Sequence, residues 1–289
     1  MFKGTYTALV TPFKDGMIDA SAFRELICKQ IEASVEGIVP VGTTGESPTL
    51  SEEEHLRVIE LAVREADKKI QVVAGTGANS TKEAIALTSG AESMGVDACL
   101  LVAPYYNKPS QEGLYKHFMA IAESVEIPLV LYSIPGRCGI SIGEETVARL
   151  AQDADNIVAI KEAGGTVDRV SSLRQVLPED FIILSGDDGL TLPFISVGAS
   201  GVISVASNLI PDRVKKMVDL ALSGNFKEAE LEHRKLYGFF TTLFVETNPV
   251  PIKAALAAKG LISEDVRLPL VGLSDQSEKK LRTVLKTVL

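Results

Sequence analysis

The sequence lacks several features that mark common classes of protein. Its three cysteines, Cys28, Cys99 and Cys138, lie far apart and form none of the pairs expected of a zinc site or a redox motif. No apolar run is long enough to span a bilayer, and the N-terminus lacks the charged, apolar and cleavage regions of a signal peptide. These absences predict a cytoplasmic protein without a membrane segment. Cys28 and Cys99 lie in apolar patterns, which predicts two buried free thiols.

Positive charge is also scarce, since the formal net charge of the 289 residues is −9. A nucleic-acid partner is therefore not expected, because phosphate binding requires a basic face. An anionic small substrate remains compatible, since a few basic groups in a pocket can outweigh a distant acidic surface. The three histidines, His55, His117 and His233, lie in helical patterns without metal-ligand spacing, so no catalytic metal is predicted.

What the sequence does contain is a regular alternation of short apolar runs with longer amphipathic segments. The short runs predict eight strands, at 5–11, 37–43, 71–76, 98–104, 128–134, 157–163, 181–186 and 201–206. The segments between them predict helices at about 21–35, 51–68, 80–94, 110–125, 143–153, 166–176, 188–197 and 211–223. Eight successive strand–helix units favour a closed (β/α)8 TIM barrel over an open sheet.

The segment after the eighth unit has a different, helical pattern. No linker rich in Pro, Gly or Ser precedes it, so we expect a catalytic barrel over 1–224 and a helical extension over 225–289 packed on the barrel. Helices are predicted at 226–245 and 274–288. Capping-box spacing at Ser51 and Ser80, and Pro211 in a first turn, indicate where three of the barrel helices begin.

Lys161 is the most informative single residue. It follows four apolar residues near the end of the sixth strand. In a TIM barrel, active sites lie at the carboxyl ends of the strands. Burial of an ammonium lowers its pKa and so supplies the neutral amine that attacks a carbonyl group. A structural ion pair is the competing interpretation, but the adjacent Glu162 should point to the opposite face of the strand.

Three further features lie where the other strands are predicted to end. Gly42–Ser47 exposes backbone N–H groups that suit a carboxylate, and it lacks the Gly-Lys-Ser/Thr ending of a phosphate loop. Tyr132, and Tyr105 with Tyr106, could transfer protons or merely close the barrel rim. Arg137 carries a donor set suited to a carboxylate, although most arginines in loops are simply solvated.

Taken together, these segments resemble the dihydrodipicolinate synthase family. The resemblance covers nearly the whole chain. The matching segments are Gly4–Phe13, Gly42–Ser47, Ala74–Asn79, Ala103–Pro109, Leu131-Tyr132, Ile160–Ala163, Ser185–Asp188 and Asn248–Lys253.

This resemblance implies that pyruvate condenses with L-aspartate 4-semialdehyde, early in lysine and diaminopimelate biosynthesis, to give 4-hydroxy-tetrahydrodipicolinate. Lys161 would form an imine with pyruvate, and this covalent bond takes the place of a metal or dissociable cofactor. Position by position, the resemblance assigns a proton relay to Thr43, Tyr132 and, from a neighbouring subunit, Tyr106. It also implies that substrates are bound by Thr44, Arg137, Gly186 and Ile203, and that the enzyme is a homotetramer built from tight dimers.

Many members of the family are inhibited by L-lysine at a subunit interface. The corresponding positions are Ser47, Pro48, Glu52, His55, Asn79, Glu83 and Tyr105, of which Pro48 and Glu52 depart from the best-known pattern. Ser133 and Cys138 also depart from the family, in the loop that would receive the second substrate. They leave the imine chemistry intact and bear on the identity of the aldehyde.

Two other functions are compatible with these residues. One is a related pyruvate-dependent lyase, acting on N-acetylneuraminate or a 2-keto-3-deoxy sugar acid. Two threonines in Gly42–Gly45, the Tyr105-Tyr106 pair and the segment Asn248–Lys253 favour the synthase over this lyase. The other is a non-catalytic barrel that senses a 2-oxo acid or lysine, against which the full set of catalytic groups argues.

Overall fold

A computed structural model describes residues 2–288, and eight parallel strands in it close into a barrel. In chain order the strands are β1 Gly4–Ala8, β2 Gly37–Val39, β3 Gln71–Gly75, β4 Ala98–Val102, β5 Leu129–Ser133, β6 Ile157–Glu162, β7 Ile182–Ser185 and β8 Gly201–Ser204. Each pairs with its neighbours in sequence, and β8 pairs with β1 to complete the ring. The predicted (β/α)8 architecture is confirmed.

Eight helices surround the strands and cover their outer face. They are α1 Ala20–Glu32, α2 Glu52–Ala66, α3 Thr81–Ser93, α4 Gln111–Ala122, α5 Glu144–Asp153, α6 Val167–Val176, α7 Thr191–Ser196 and α8 Pro211–Leu222. Both faces of the barrel strands are therefore buried, and this explains their nearly continuous apolar sequences.

The starts of three helices agree with the signals in the sequence. Ser51 forms the predicted capping box with Glu54 at the start of α2, and Pro211 lies in the first turn of α8. The Ser80 hydroxyl accepts a hydrogen bond from the Glu83 backbone N–H, which is one half of a capping box. These contacts satisfy backbone donors that a helix start leaves unpaired.

Side chains reinforce the seam between β1 and β8, which joins segments about 200 residues apart. Gly201 lies against Gly4 so closely that a Cβ at position 201 would be only 2.0 Å from the Gly4 carbonyl oxygen. The buried Asn208 side chain accepts a hydrogen bond from the Val10 N–H at 3.1 Å and donates one to the Ala8 carbonyl at 2.7 Å. The Asn208 side-chain amide thus takes the place of a neighbouring strand at the end of β1 and just beyond it.

After the barrel come α9 Phe226–Thr242, α10 Val250–Ala257 and α11 Asp275–Val288. The first and last were predicted, whereas α10 was covered only by the general expectation of further helices. Leu236 and Phe239 of α9 and Leu281 of α11 are buried in the same apolar core as the barrel helices. The extension therefore packs directly on the barrel.

One burial prediction is wrong, and one segment was not predicted. Cys99 is buried, but Cys28 is exposed on α1, because the buried face of that helix is formed by residues such as Phe23, Leu26 and Ile27. A two-stranded antiparallel hairpin, Phe13–Lys14 with Met17–Ile18, precedes α1. None of the helices within residues 2–288 is long and apolar enough to cross a bilayer.

Candidate active site

A cavity opens at the carboxyl ends of the barrel strands, where active sites of this fold lie. Seven of the residues singled out from the sequence line it: Thr43, Thr44, Ser47, Tyr132, Arg137, Lys161 and Gly186. Its wall also includes Phe244 and Asn248, which belong to the C-terminal extension. Segments far apart in the chain therefore meet in one concave site.

Lys161 points into the barrel from β6 and is only 7% exposed. Burial lowers the pKa of its ammonium from about 10.5 to about 7; the nearby carboxylate of Asp188 opposes this shift, and the Arg137 charge adds to it. A large fraction of the side chain is therefore a neutral amine near pH 7, as attack on a carbonyl carbon requires. Glu162 points to the outer face of the strand, where Arg169 pairs with it.

Tyr132 lies beside Lys161 on the neighbouring strand. The two residues are in register between β5 and β6, and the Lys161 Nζ is 4.2 Å from the centre of the Tyr132 ring. Burial raises the pKa of the phenol; the positive charge of Arg137 and the hydroxyl of Thr43 act in the opposite direction. Tyr132 is therefore a neutral proton donor next to the amine.

Asp188, which follows β7, is an ionisable group of the site that spacing alone did not identify. Its buried carboxylate accepts hydrogen bonds from the Ser204 hydroxyl at 2.5 Å and from the Val205 and Ala206 N–H groups at 3.0 Å. Burial raises its pKa to about 6, which these hydrogen bonds partly offset. In the sequence, Asp188 was marked only by the family match over Ser185–Asp188 and by its place just after a predicted strand.

The turn Gly42–Ser47 is tight and strained. The Gly45 N–H donates to the Gly42 carbonyl and the Glu46 N–H donates to the Thr43 carbonyl, both at 3.1 Å. Val41 and Glu46 have positive φ values of 49° and 56°. Such values are unfavourable for residues with a Cβ, above all a β-branched one, and they often accompany functional sites.

Arg137 and Thr44 share one partner from the extension. The buried Asn248 side chain donates a hydrogen bond from Nδ2 to the Thr44 Oγ1, at 3.0 Å. The Arg137 guanidinium in turn donates to the Asn248 backbone carbonyl, also at 3.0 Å. The short helix Pro135–Cys138 places Arg137 at the mouth of the cavity. Analysis of the residues had not assigned a role to Asn248.

Gly186 and Ile203, two of the predicted binding residues, lie at the lysine and in the barrel interior respectively. Gly186 lies against Lys161, and a Cβ at position 186 would be 3.1 Å from the Lys161 Cε and 2.8 Å from the Ala163 Cβ. A side chain there would displace the lysine. Ile203 points into the barrel among the inner apolar residues, below the cavity lining.

Tyr106 does not reach the cavity of its own chain. Its side chain is 91% exposed, and its backbone has a φ of 70°. The adjacent Tyr105 is partly exposed and accepts a hydrogen bond on its carbonyl from the Asn79 amide, at 3.3 Å. This single chain therefore brings Thr43 and Tyr132 together but leaves Tyr106 facing outward.

The residues that the resemblance connects with lysine binding differ in exposure: His55 is buried, whereas Glu83 and Tyr105 are exposed. The His55 ring shares a hydrogen bond of 2.8 Å with the Gly75 carbonyl, and burial lowers its pKa. Glu83 is close enough to Tyr105 to help raise the pKa of that phenol, a shift that is mainly due to burial. Ser47 contributes to the cavity itself.

Ser133 and Cys138, the departures in the loop that would receive the second substrate, are both buried. Ser133 is fully buried, and its hydroxyl accepts a hydrogen bond from the Ile142 N–H at 3.4 Å. The Cys138 thiol is 3% exposed and lies 3.2 Å from the Ala103 carbonyl oxygen. Burial raises its pKa to about 11, so Cys138 is not a reactive thiolate. In the described part of the chain, no group of three or more His, Cys, Asp or Glu side chains is arranged to hold a metal ion.

A buried amine with a pKa near 7, next to a buried tyrosine at the carboxyl end of a (β/α)8 barrel, is typical of enzymes that form a Schiff base. Comparison with known proteins makes the assignment specific. Residues 1–288 match the family described as "Dihydrodipicolinate synthetase family". The chain belongs to this family.

Individual relatives match over almost their full length. A 4-hydroxy-tetrahydrodipicolinate synthase of Persephonella marina is 53% identical over 287 residues, covering 99% of this chain and 98% of the relative. The dihydrodipicolinate synthase of Acinetobacter baumannii, solved in complex with pyruvate, is 45% identical with a TM-score of 0.97 and 99% of each chain covered. That of Cyanidioschyzon merolae, solved with lysine bound, is 40% identical with a TM-score of 0.96, covering 99% of this chain and 98% of the other.

Proposed function

We propose that the chain condenses pyruvate with L-aspartate 4-semialdehyde through an imine on Lys161. The observation that carries this proposal is the buried Lys161 amine, with a pKa of about 7, in a cavity lined by hydroxyl groups and an arginine. The names of the relatives supply the reaction, and the pyruvate complex of one of them supplies the first substrate.

The amine attacks the pyruvate C2, and loss of water leaves a protonated imine. Its positive nitrogen draws electrons from the methyl group, so that one methyl proton can leave and an enamine remains. The enamine carbon bonds to the aldehyde carbon, and the aldehyde oxygen takes up a proton. The amino group of the product then displaces Lys161 as the ring closes, and the free lysine is regenerated.

Each step needs a proton carrier. Tyr132, neutral and beside Lys161, donates and accepts protons at the imine, with Thr43 linking it to Tyr106 of a second subunit. Thr44 and the backbone of Gly42–Ser47 hold the pyruvate carboxylate. Arg137 lines the cavity mouth, where its guanidinium can bind the carboxylate of the second substrate in addition to the Asn248 carbonyl.

Borohydride trapping with pyruvate tests the imine. We expect a stable adduct on the peptide that contains Lys161 and none in a Lys161→Met variant. An unmodified Lys161 after prolonged trapping would instead favour the barrel that only senses a 2-oxo acid.

A second assay tests the aldehyde. Turnover is measured with pyruvate plus L-aspartate 4-semialdehyde, and separately with the aldehydes that a sugar-acid or N-acetylneuraminate lyase would use. We expect the semialdehyde to be preferred by at least about 100-fold, a ratio that a site built for polar recognition can reach. Preference for a sugar aldehyde would transfer the assignment to the related lyases.

L-Lysine is proposed as an inhibitor that binds near Ser47, His55, Asn79, Glu83 and Tyr105, at the interface of a tight dimer within a homotetramer. The lysine-bound structure of a relative and the partly exposed Tyr105 support this proposal. Added L-lysine should lower turnover at saturating pyruvate, and a Glu83→Gln variant should be less sensitive. Unchanged activity at millimolar lysine would remove the proposal.

A further inference from the structure

We propose that a buried ion pair between Glu46 and Lys253 positions the turn Gly42–Ser47 for imine chemistry, so that the C-terminal extension contributes to the catalytic rate. The inference rests on the proposed function, because it concerns the residues that hold pyruvate. Glu46 and Lys253 are positioning residues, since neither lines the cavity.

The pair is completely enclosed. Lys253, on α10, donates to the Glu46 Oε1 at 2.5 Å, and both side chains are at most 1% exposed. The other carboxylate oxygen, Oε2, accepts the backbone N–H of Arg267 at 3.0 Å. The Phe13 ring packs against this pair, with its centre 4.3 Å from the Lys253 Nζ. Both oxygens of Glu46 are thus bound by groups from the extension.

Glu46 transmits this constraint to the substrate-binding turn through its backbone. Its N–H donates to the Thr43 carbonyl at 3.1 Å, and its φ of 56° completes the reversal that began at Gly42. The two residues before it are held as well: the Gly45 carbonyl accepts a hydrogen bond from the Thr11 hydroxyl, and the Thr44 hydroxyl accepts one from Asn248. A shift of Glu46 would move Thr43, whose hydroxyl acts on Tyr132.

Stability alone is a poor explanation for these two charges. Transfer of a charged pair into an apolar interior costs several kcal/mol per ion, and well-packed apolar residues are often as stabilising or more so. An apolar pair would not fix the orientation of residue 46. The two hydrogen bonds to the Glu46 carboxylate do fix it, and they hold a left-handed backbone conformation that costs roughly 1–2 kcal/mol. Strain of this kind persists only where the surroundings enforce it.

Two variants separate positioning from stability. Lys253→Met leaves an unpaired buried carboxylate, whereas the double variant Glu46→Gln/Lys253→Met removes both charges. We measure the melting temperature, KM for pyruvate, and the exchange of pyruvate methyl protons with deuterium by NMR, which reports imine and enamine formation without the second substrate. In the double variant we expect a melting temperature close to that of the wild type. Exchange at saturating pyruvate should be slower by about tenfold or more, because small misplacements of reacting groups reduce rates by such factors.

Lys215→Met is the matched control. Lys215 pairs with Glu36 at 2.6 Å, at the opposite end of the barrel, where β2 begins. It should lower the melting temperature but leave exchange and KM unchanged. The inference is overturned if the double variant exchanges pyruvate protons at the wild-type rate, or if its exchange is slowed no more than that of Lys215→Met. A wild-type protein that neither traps nor exchanges pyruvate would instead reject the proposed function itself.

Discussion

Lys161 is buried at a place where its ordinary protonation state is unfavourable, and this affects chemistry and stability in opposite ways. In the unfolded chain its pKa is about 10.5, whereas in the folded barrel burial lowers it to about 7. Between these values the unfolded state binds the proton more tightly, so this residue makes the free energy of unfolding rise with pH. The nucleophile is thus obtained at the expense of stability at neutral and acid pH.

A Lys161→Met variant should therefore be more stable than the wild type at pH 6, by about 1 kcal/mol or more. The difference should narrow as the pH rises from 7 towards 10, because removing the proton that the unfolded wild type still carries costs less as the pH approaches 10.5. Urea denaturation at pH 6 and pH 9 measures both values. Equal stabilities at pH 6 would show that the ammonium is well accommodated in the barrel.

The same lowered pKa predicts how imine formation depends on pH. The neutral fraction of an amine with a pKa near 7 falls about tenfold between pH 8 and pH 6. We expect the initial rate of borohydride trapping with pyruvate to fall by a similar factor. A rate that keeps rising up to pH 10 would mean that Lys161 retains its ordinary pKa.

Tyr132→Phe removes the hydroxyl beside the amine and keeps the ring that packs on it. Turnover should fall by about 100-fold or more, since a positioned proton carrier typically contributes that factor. Trapping at long incubation should still label Lys161, because the amine is unchanged. Steady-state kinetics with Thr43→Val as a companion variant measures the relay, and wild-type turnover in Tyr132→Phe would exclude the phenol from it.

Among the elements, β6 depends on the ion pair behind it as well as on the apolar residues within it. Glu162 is buried on its outer face and pairs with Arg169 of α6, which also pairs with Glu144 at 2.5 Å. The Glu162 carboxylate accepts the Gly164 N–H at 2.6 Å, so the chain after β6 is held in place by the same group.

Arg169→Met should therefore lower the free energy of unfolding by about 3 kcal/mol, because it leaves a buried carboxylate without its charged partner. Arg149→Met is the control, since its pair with Glu112 is about half exposed and should change stability by less than about 1 kcal/mol. Chemical denaturation of both variants gives the comparison. Equal effects would show that the Glu162 charge is compensated in another way.

Strands and helices were predictable in number and order because each is encoded locally by its apolar period. Their ends were less predictable: the second strand was expected over 37–43 but ends at Val39. Residues 40–43 are apolar or small like strand residues, yet Val41 has a positive φ that bends the chain into the site. The bend is enforced by contacts with distant segments, which a local pattern does not contain.

The same reason explains which site residues emerged from the sequence. Lys161 and Tyr132 stand out because each lies near the end of a predicted strand, and Arg137 because it follows one; the family resemblance assigned their roles. Asn248, and the pairing of Glu46 with Lys253, depend on contacts across more than 200 residues. Cys28 was misplaced because an apolar neighbourhood does not say which side of a helix a residue occupies.

At the scale of the whole molecule, the position of Tyr106 raises the question of subunit association. Its side chain faces outward in the single chain, although a proton-relay role is proposed for it. If this residue completes the site of a neighbouring subunit, activity requires association. Two inactive variants, Tyr106→Phe and Lys161→Met, should then complement one another when mixed.

In a twofold dimer, each hybrid has one complete site, and random mixing makes about half of the dimers hybrids. Mixing equal amounts after dissociation should thus restore about a quarter of wild-type turnover. Unmixed variants treated identically are the control. No recovery in a mixture shown to contain hybrids would mean that Tyr106 acts within its own chain or takes no part in the reaction.

The seam between β1 and β8 has a consequence for how the chain reaches this structure. β1 ends at Ala8 and β8 begins at Gly201, so the ring of hydrogen bonds cannot close until about 70% of the chain exists. A growing chain emerging from the ribosome would carry two open sheet edges throughout this period, and such edges pair readily with other chains. The contact between Gly4 and Gly201 and the hydrogen bonds of the Asn208 amide can form only after residues 201–208 have been made, so barrel closure is a late event in folding. The risk of aggregation is greatest in the period before closure.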